Sequence, residues 1–180
     1  MYELCLSTEM SSSEWAAWVQ AFGATVAVFA GAVGIWWQNH QMKKLTRTRN
    51  VEKIRAVAMI VRIAADAVEQ WLDLWQGDEP PSLDAAQHCW VTFQLATEEM
   101  KKLGMEQVLY AAIVGNLIQS KECARQISEA VGSAYASIPS DEIVSNLRVN
   151  IHDLYYYEEC MHSEARRIGD GQPATNTDDA

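Results

Sequence analysis

Residues Trp15–Trp37 read WAAWVQAFGATVAVFAGAVGIWW and contain no charged side chain. An uncharged run of this length has two folded solutions: it crosses a bilayer, or it lies inside a helical core. As a helix it reaches about 35 Å at ~1.5 Å per residue, against about 30 Å of hydrocarbon. Trp15 and Trp18 stand at one end, Trp36 and Trp37 at the other. An indole suits the membrane–water interface, because its ring is apolar and its N–H wants a wet partner. Tryptophan at both ends and a basic cluster just beyond favour a span over a core helix. The sequence therefore predicts a transmembrane helix over 14–38, with these four tryptophans as its interface residues.

Charge sets the expected direction. The chain carries −10 overall, unevenly. Glu3, Glu9 and Glu14 precede the run, with no base among them. Lys43, Lys44, Arg47, Arg49, Lys53, Arg55 and Arg62 follow it, against Glu52 alone. A secretory signal needs a basic leader, so an uncleaved anchor is expected despite the small residues Ala30-Gly31-Ala32. The positive-inside rule places the following domain in the cytoplasm and the short outer tail, 1–13, across the inner (plasma) membrane. Lys43, Lys44, Arg47 and Arg49 are the expected topology and lipid-headgroup residues. The rest of the chain is acidic, which argues against nucleic acid as a partner.

Within the span, Gly23, Ala27 and Gly31 recur every four residues, with Gly34 near the same stripe. Small residues let two helices approach closely in lipid, where hydrophobic burial gives no advantage. The stripe predicts a homo-oligomer contact. Of four cysteines, Cys89, Cys123 and Cys160 fall on the cytoplasmic side and are expected reduced. Cys5 falls outside and could bridge two copies.

Beyond the span the pattern is helical throughout. From Gln38 no Gly or Pro occurs until Gly77, so the span and the first domain helix can form one rod. Ile54, Val57, Val61, Ala64, Val68, Trp71 and Trp75 repeat at heptad spacing, widened by Ile60, Ile63, Leu72 and Leu74. Gly77 with Pro80 and Pro81 breaks the pattern. Ser82 or Asp84 starts the next helix, whose seam is Ala86, Cys89, Phe93, Ala96, Met100 and Leu103, capped at Gly104. A third helix is expected from Met105 to Pro139, with seam residues Ile113, Leu117, Ser120, Ala124, Ile127, Val131, Ala134 and Ile138 and a kink at Gly115. Ser140 caps a fourth, with Val144, Leu147, Ile151, Leu154, Met161, Ala165 and Ile168 on its seam and Gly169 at its close. Glu158 interrupts that seam. It is expected either at the seam's edge, through drift of the period, or paired with Arg125 or Arg148. The predicted fold is all-α: one N-terminal transmembrane helix, then an antiparallel four-helix bundle over 39–169 and a disordered tail over 170–180.

Chemistry finds little foothold. Glu159 and His162 have the Glu-x-x-His spacing of carboxylate-bridged metal bundles, but the second copy is missing and His88 has Asp84 at i−4. No phosphate loop, nucleophile elbow or C-x-x-C pair occurs. No enzyme activity, cofactor or metal is expected. Of Tyr155, Tyr156 and Tyr157, consecutive on one helix, at least one must face outward. Trp71, Trp75 and Trp90 read as core or as a packed junction.

WAAWVQAFGATVAVFAGAVGIWWQNHQ resembles the N-terminus of uncharacterised proteobacterial and prophage-encoded proteins with one span and a helical cytoplasmic domain. The resemblance covers about the first 40 residues. It implies an inner-membrane protein of bacterial or phage origin and carries no catalytic residues. The expected function is a membrane-tethered helical scaffold or interaction module that self-associates and binds a protein partner. The alternative is a membrane-perturbing phage-exclusion or abortive-infection effector.

Overall fold

The computed structural model describes residues 12–77, 81–104, 111–132 and 138–172, with backbone alone at 111 and 112. Four helices account for them, and no strand occurs among the described residues. They are α1 (Ser12–Gln76), α2 (Leu83–Lys102), α3 (Ala111–Val131) and α4 (Asp141–Gly169). The segment expected as a span and the first domain helix are a single element, α1, of 65 residues. Good helix formers and no Gly or Pro from Gln38 to Gln76 leave nothing to interrupt it. The chain divides into two compact units, Met1–Thr46 and Arg47–Ala180.

The first unit holds the exposed part of α1, where every described residue is solvent-facing. The second unit holds the core. On α1, Ile54, Val57, Val61, Ala64, Val68 and Trp71 are buried as the heptad spacing requires, and Trp75 is half-buried. Ala58, Ala65, Ala67 and Leu72 widen the buried face, which suits packing inside a globular bundle better than a two-stranded coil. Ile63, by contrast, is exposed.

α2 buries Ala86, Cys89, Phe93, Ala96 and Met100 on the expected seam, together with Trp90, whose ring stacks on Phe93 at 5.1 Å. Ser82 caps its start: the Ser82 hydroxyl accepts from the Ala85 amide at 3.2 Å. Its end differs from expectation. The cap is Leu103, in an extended conformation, with Lys101 and Lys102 in the last turn. The Lys121 ammonium of α3 donates to the Leu103 carbonyl at 2.8 Å, so a cation meets the carbonyl end where a glycine cap was expected.

α3 buries Ile113, Leu117, Ser120, Ala124, Ile127 and Val131, and runs unbroken through Gly115. The expected start at Met105 and the seam residue Ala134 lie outside the described residues. The helix stops at Val131 rather than at Pro139. Gly132 takes φ +38, the left-handed conformation that ends helices at little cost for glycine. Ile138, assigned to the seam, is 79% exposed.

α4 starts as expected: the Ser140 hydroxyl accepts from the Ile143 amide at 3.4 Å, and Asp141 and Glu142 occupy the first turn. Leu147, Ile151, Leu154, Met161, Ala165 and Ile168 are buried and Val144 is half-buried. Gly169 is the last helical residue and Asp170 the cap; the left-handed residue is Gly171, at φ +89. Contacts between α1 and α4 follow one order. Gln76 meets Arg148, Glu69 and Asp66 meet Tyr155, Arg62 meets Glu158, and Val51 Cγ2 stands 4.0 Å from where a side-chain carbon added at Gly169 would lie. Residue numbers fall along α1 as they rise along α4.

Candidate functional site

Two regions stand out, one at each end of the polarity scale. The first is the exposed stretch of α1. It contains a window of mean hydropathy 1.6, none of it buried, long and apolar enough to cross a membrane. Trp15, Trp18, Trp36 and Trp37 are all exposed, as are Phe22, Val26, Phe29 and Val33 between them. Large apolar side chains uncovered over this length mark a membrane or protein interaction surface. Thr25, the one polar side chain between Ala21 and Trp37, donates its hydroxyl to the Ala21 carbonyl at 2.8 Å. That closes the hydroxyl on its own helix, as Thr92, Ser120 and Ser128 also do. Trp36 stacks on His40 with ring centroids 5.9 Å apart.

The small stripe is open. A side-chain carbon added at Gly23, Gly31 or Gly34 meets no heavy atom within 4 Å, and Ala27 is exposed beside them. Lys43, Lys44, Arg47 and Arg49 follow the last tryptophan of the stretch, all exposed. Cys5 and the outer tail lie outside the described residues.

The second region is a polar network between α1 and α4, centred on the residue that broke the α4 seam. Glu158 is buried, 7% exposed, so it does not sit at the seam's edge. Neither expected arginine reaches it: Arg125 pairs with Glu122 at 2.5 Å and with Glu129 on its own helix, and Arg148 donates to Gln76 at 2.9 Å. Its partners are His162, one turn on, with Nε2 3.1 Å from Oε1, and Arg62 of α1, with Nη1 3.7 Å from Oε2. A buried carboxylate between two basic groups is compensated; alone it would be costly.

Arg62 then links to the rest. Its Nε donates to Asp66 Oδ1 at 3.0 Å, and its guanidinium lies 4.8 Å from the centre of the Tyr155 ring. The Tyr155 hydroxyl contacts Asp66 Oδ1 at 2.7 Å and Glu69 Oε2 at 2.5 Å. Burial, followed by these two carboxylates, pushes the Tyr155 hydroxyl well above its ordinary range, so it stays a neutral donor at physiological pH. Asp66 foremost, with Glu158 and Tyr155, raises the Arg62 guanidinium further. Beside this network a groove of about 300 Å³ is lined by Glu69, Asp73, Arg148, Ile151, His152 and Tyr155, among others.

The metal-like spacing on α4 resolves into separate pairs. Glu159 binds Arg166 at 2.7 Å, while His162 turns to Glu158. No group of three or more His, Cys, Asp or Glu side chains converges among the described residues. Cys89 and Cys123 are buried and unpaired. Burial, then Asp153 and Glu122, raises the Cys123 thiol to about 11, which keeps it protonated and a poor nucleophile at neutral pH. Tyr156 is the tyrosine that faces out; Tyr155 and Tyr157 are half-buried.

The sequence pointed to Glu158 as an anomaly but not to its partners. By sequence Arg62 reads as one of the bases that follow the span. The available signal was Asp66, four residues on, which sets an i,i+4 pair beside the apolar seam.

No family model matches this chain, and the comparisons with curated proteins and with solved structures give no significant match.

Proposed function

We propose that this chain is a membrane-tethered, non-enzymatic helical interaction module. In this reading the exposed stretch of α1 spans the inner membrane of a bacterium, of host or prophage origin. The N-terminus lies outside, and Arg47 onward forms an antiparallel four-helix domain in the cytoplasm. The supporting observation is the uncovered run from Trp15 to Trp37. Its large side chains are exposed, its one hydroxyl is closed on its own backbone, and tryptophans stand at both ends. Lys43, Lys44, Arg47 and Arg49 then face anionic headgroups, each adding on the order of 1 kcal/mol of attraction.

Self-association would use Gly23, Ala27 and Gly31, where nothing of the same chain stands in the way. The cytoplasmic domain would present a partner protein with its helix faces.

The test is crosslinking in living cells, followed by detergent extraction and mass spectrometry. The reading expects crosslinked oligomers of this chain together with a second protein; recovery of monomer and lipid alone would remove it. Overexpression separates this reading from a membrane-perturbing effector. A scaffold leaves the membrane potential intact. Depolarisation that disappears when Gly23, Ala27 and Gly31 are changed to Leu would favour the effector instead.

A further inference from the structure

In the groove beside the Tyr155 network, α1 contributes acids and α4 contributes bases. Glu69 and Asp73 stand one turn apart on α1, Arg148 and His152 one turn apart on α4. Two contacts fix their levels. Gln76 Oε1 accepts from Arg148 at 2.9 Å, and Glu69 Oε2 accepts from the Tyr155 hydroxyl at 2.5 Å. Asp73 and His152 fall between these two contacts, so they stand at one height on opposite walls. Glu69, Asp73, Arg148 and His152 are all exposed, and a solute entering the groove can reach each of them.

No ion pair joins these four residues across the groove. Asp73 and His152 make no side-chain hydrogen bond or ion pair among the described residues. The undescribed residues contain no Lys, Arg or His, so no basic side chain of this chain pairs with Asp73. Glu69 meets the neutral Tyr155 hydroxyl, and Arg148 meets the neutral Gln76 amide. The space between the walls, about 300 Å³, therefore separates unlike charges that do not neutralise one another. Charge then selects the occupant. A simple cation would suit the acids but face Arg148, and a simple anion would suit Arg148 but face two carboxylates; like charges set side by side are penalised. A metal ion needs converging ligands, and no three His, Cys, Asp or Glu side chains converge among the described residues. A molecule with an ammonium at one end and a carboxylate at the other matches both walls.

We propose that the α1–α4 groove binds a small zwitterion, an amino acid with its two charges at opposite ends. The ammonium donates to Asp73 and Glu69. The carboxylate accepts from the Arg148 guanidinium and from a ring N–H of His152. A guanidinium has five N–H donors, so the bond to Gln76 leaves enough for a carboxylate. The volume stands at the lower limit of small-molecule sites, which suits a ligand of about ten non-hydrogen atoms or fewer. All four residues belong to the domain from Arg47 onward, and the site does not depend on what the rest of α1 does in a membrane.

The experiment is saturation-transfer NMR on the full chain in lipid nanodiscs, with empty nanodiscs as the blank. The probe is 4-aminobutyrate; butyrate and butylammonium, each matching one wall alone, are the controls. Ion pairs this exposed are weak, so the probe should bind with a dissociation constant on the order of 1 mM. Each control should bind about fivefold more weakly or worse, the worth of one exposed ion pair. Asp73→Lys should abolish transfer to 4-aminobutyrate, because its ammonium then meets a like charge. Glu52→Lys makes the same charge change at an exposed position of α1 outside the groove and should leave the transfer unaltered. Arg148→Gln tests the other wall and should weaken the probe by up to about fivefold while sparing butylammonium. No transfer to 4-aminobutyrate, equal binding of either control, or equal effects of Asp73→Lys and Glu52→Lys would overturn the assignment.

Discussion

His162 Nε2 lies 3.1 Å from Glu158 Oε1, one turn along the same face of α4, and the carboxylate they share with Arg62 is the acid that displaces an apolar residue from the seam. Its position can be tested from both sides. Replacing a buried, compensated acid by an apolar residue is often neutral or stabilising. Glu158→Leu should therefore melt at or above the wild-type temperature, because Arg62 keeps Asp66 and His162 is open enough to hydrate. Removing the partners instead strands the charge. The double change Arg62→Met with His162→Leu should cost about 1–3 kcal/mol, with the Arg62 share at the low end because its side chain is half in solvent. Thermal unfolding of the detergent-solubilised protein compares the two; a large loss in Glu158→Leu would make the carboxylate a net stabiliser.

Tyr155 gives the network a pH dependence of known sign. Its hydroxyl is pushed up by burial and by Glu69 and Asp66. A raised acid of this kind contributes stability that is complete below the unfolded-state value, about 10. That contribution is lost as the pH rises from there through the folded value. The melting temperature should fall between pH 9 and pH 11, and Tyr155→Phe should flatten that part of the profile. Absorbance near 295 nm gives a second readout: the phenolate signal of the wild type should retain one late-titrating tyrosine that Tyr155→Phe lacks.

Two glycines of the α3 region predict changes of opposite sign. Gly115 is exposed within α3, and an added side-chain carbon meets nothing within 4 Å. Gly115→Ala should stabilise by up to about 1 kcal/mol through helix propensity. Gly132 has equal room but φ +38, so an added Cβ is strained by the backbone alone. Gly132→Ala should cost about 1 kcal/mol. Chemical denaturation of the two variants side by side checks this; equal effects would mean that α3 does not end where the left-handed residue stands.

Much of this architecture was legible because apolar spacing encodes burial directly. The α1 series from Ile54 to Trp71 and the α4 series from Leu147 to Ile168 are buried in the pattern their heptads imply. The caps Ser82 and Ser140 follow from local hydrogen-bond chemistry. Failures came where two signals competed. Gly132 and Pro139 both stop helices, and apolar spacing alone does not say which acts first, so Ile138 reads as a seam residue although it is exposed. The partners of Glu158 were hidden because long-range pairing between α1 and α4 leaves no periodic trace in either helix.

The direction of the proposed span rests on Lys43, Lys44, Arg47 and Arg49, and it can be reversed by design. Basic residues close to a hydrophobic segment resist translocation, whereas acidic ones contribute little. Fusing alkaline phosphatase, which is active only outside the cytoplasm, after residue 172 should give an inactive enzyme in the wild-type background. Changing all four bases to Gln while placing three Lys before Trp15 should invert the bias, so that a measurable fraction of the fusion becomes active. The four tryptophans should be indifferent to this exchange, since interface anchoring is symmetric across the bilayer. Activity in the unaltered background would place the helical domain outside and leave its cysteines Cys89, Cys123 and Cys160 in an oxidising compartment. That outcome would reverse the proposed topology while leaving the helices and their core unchanged.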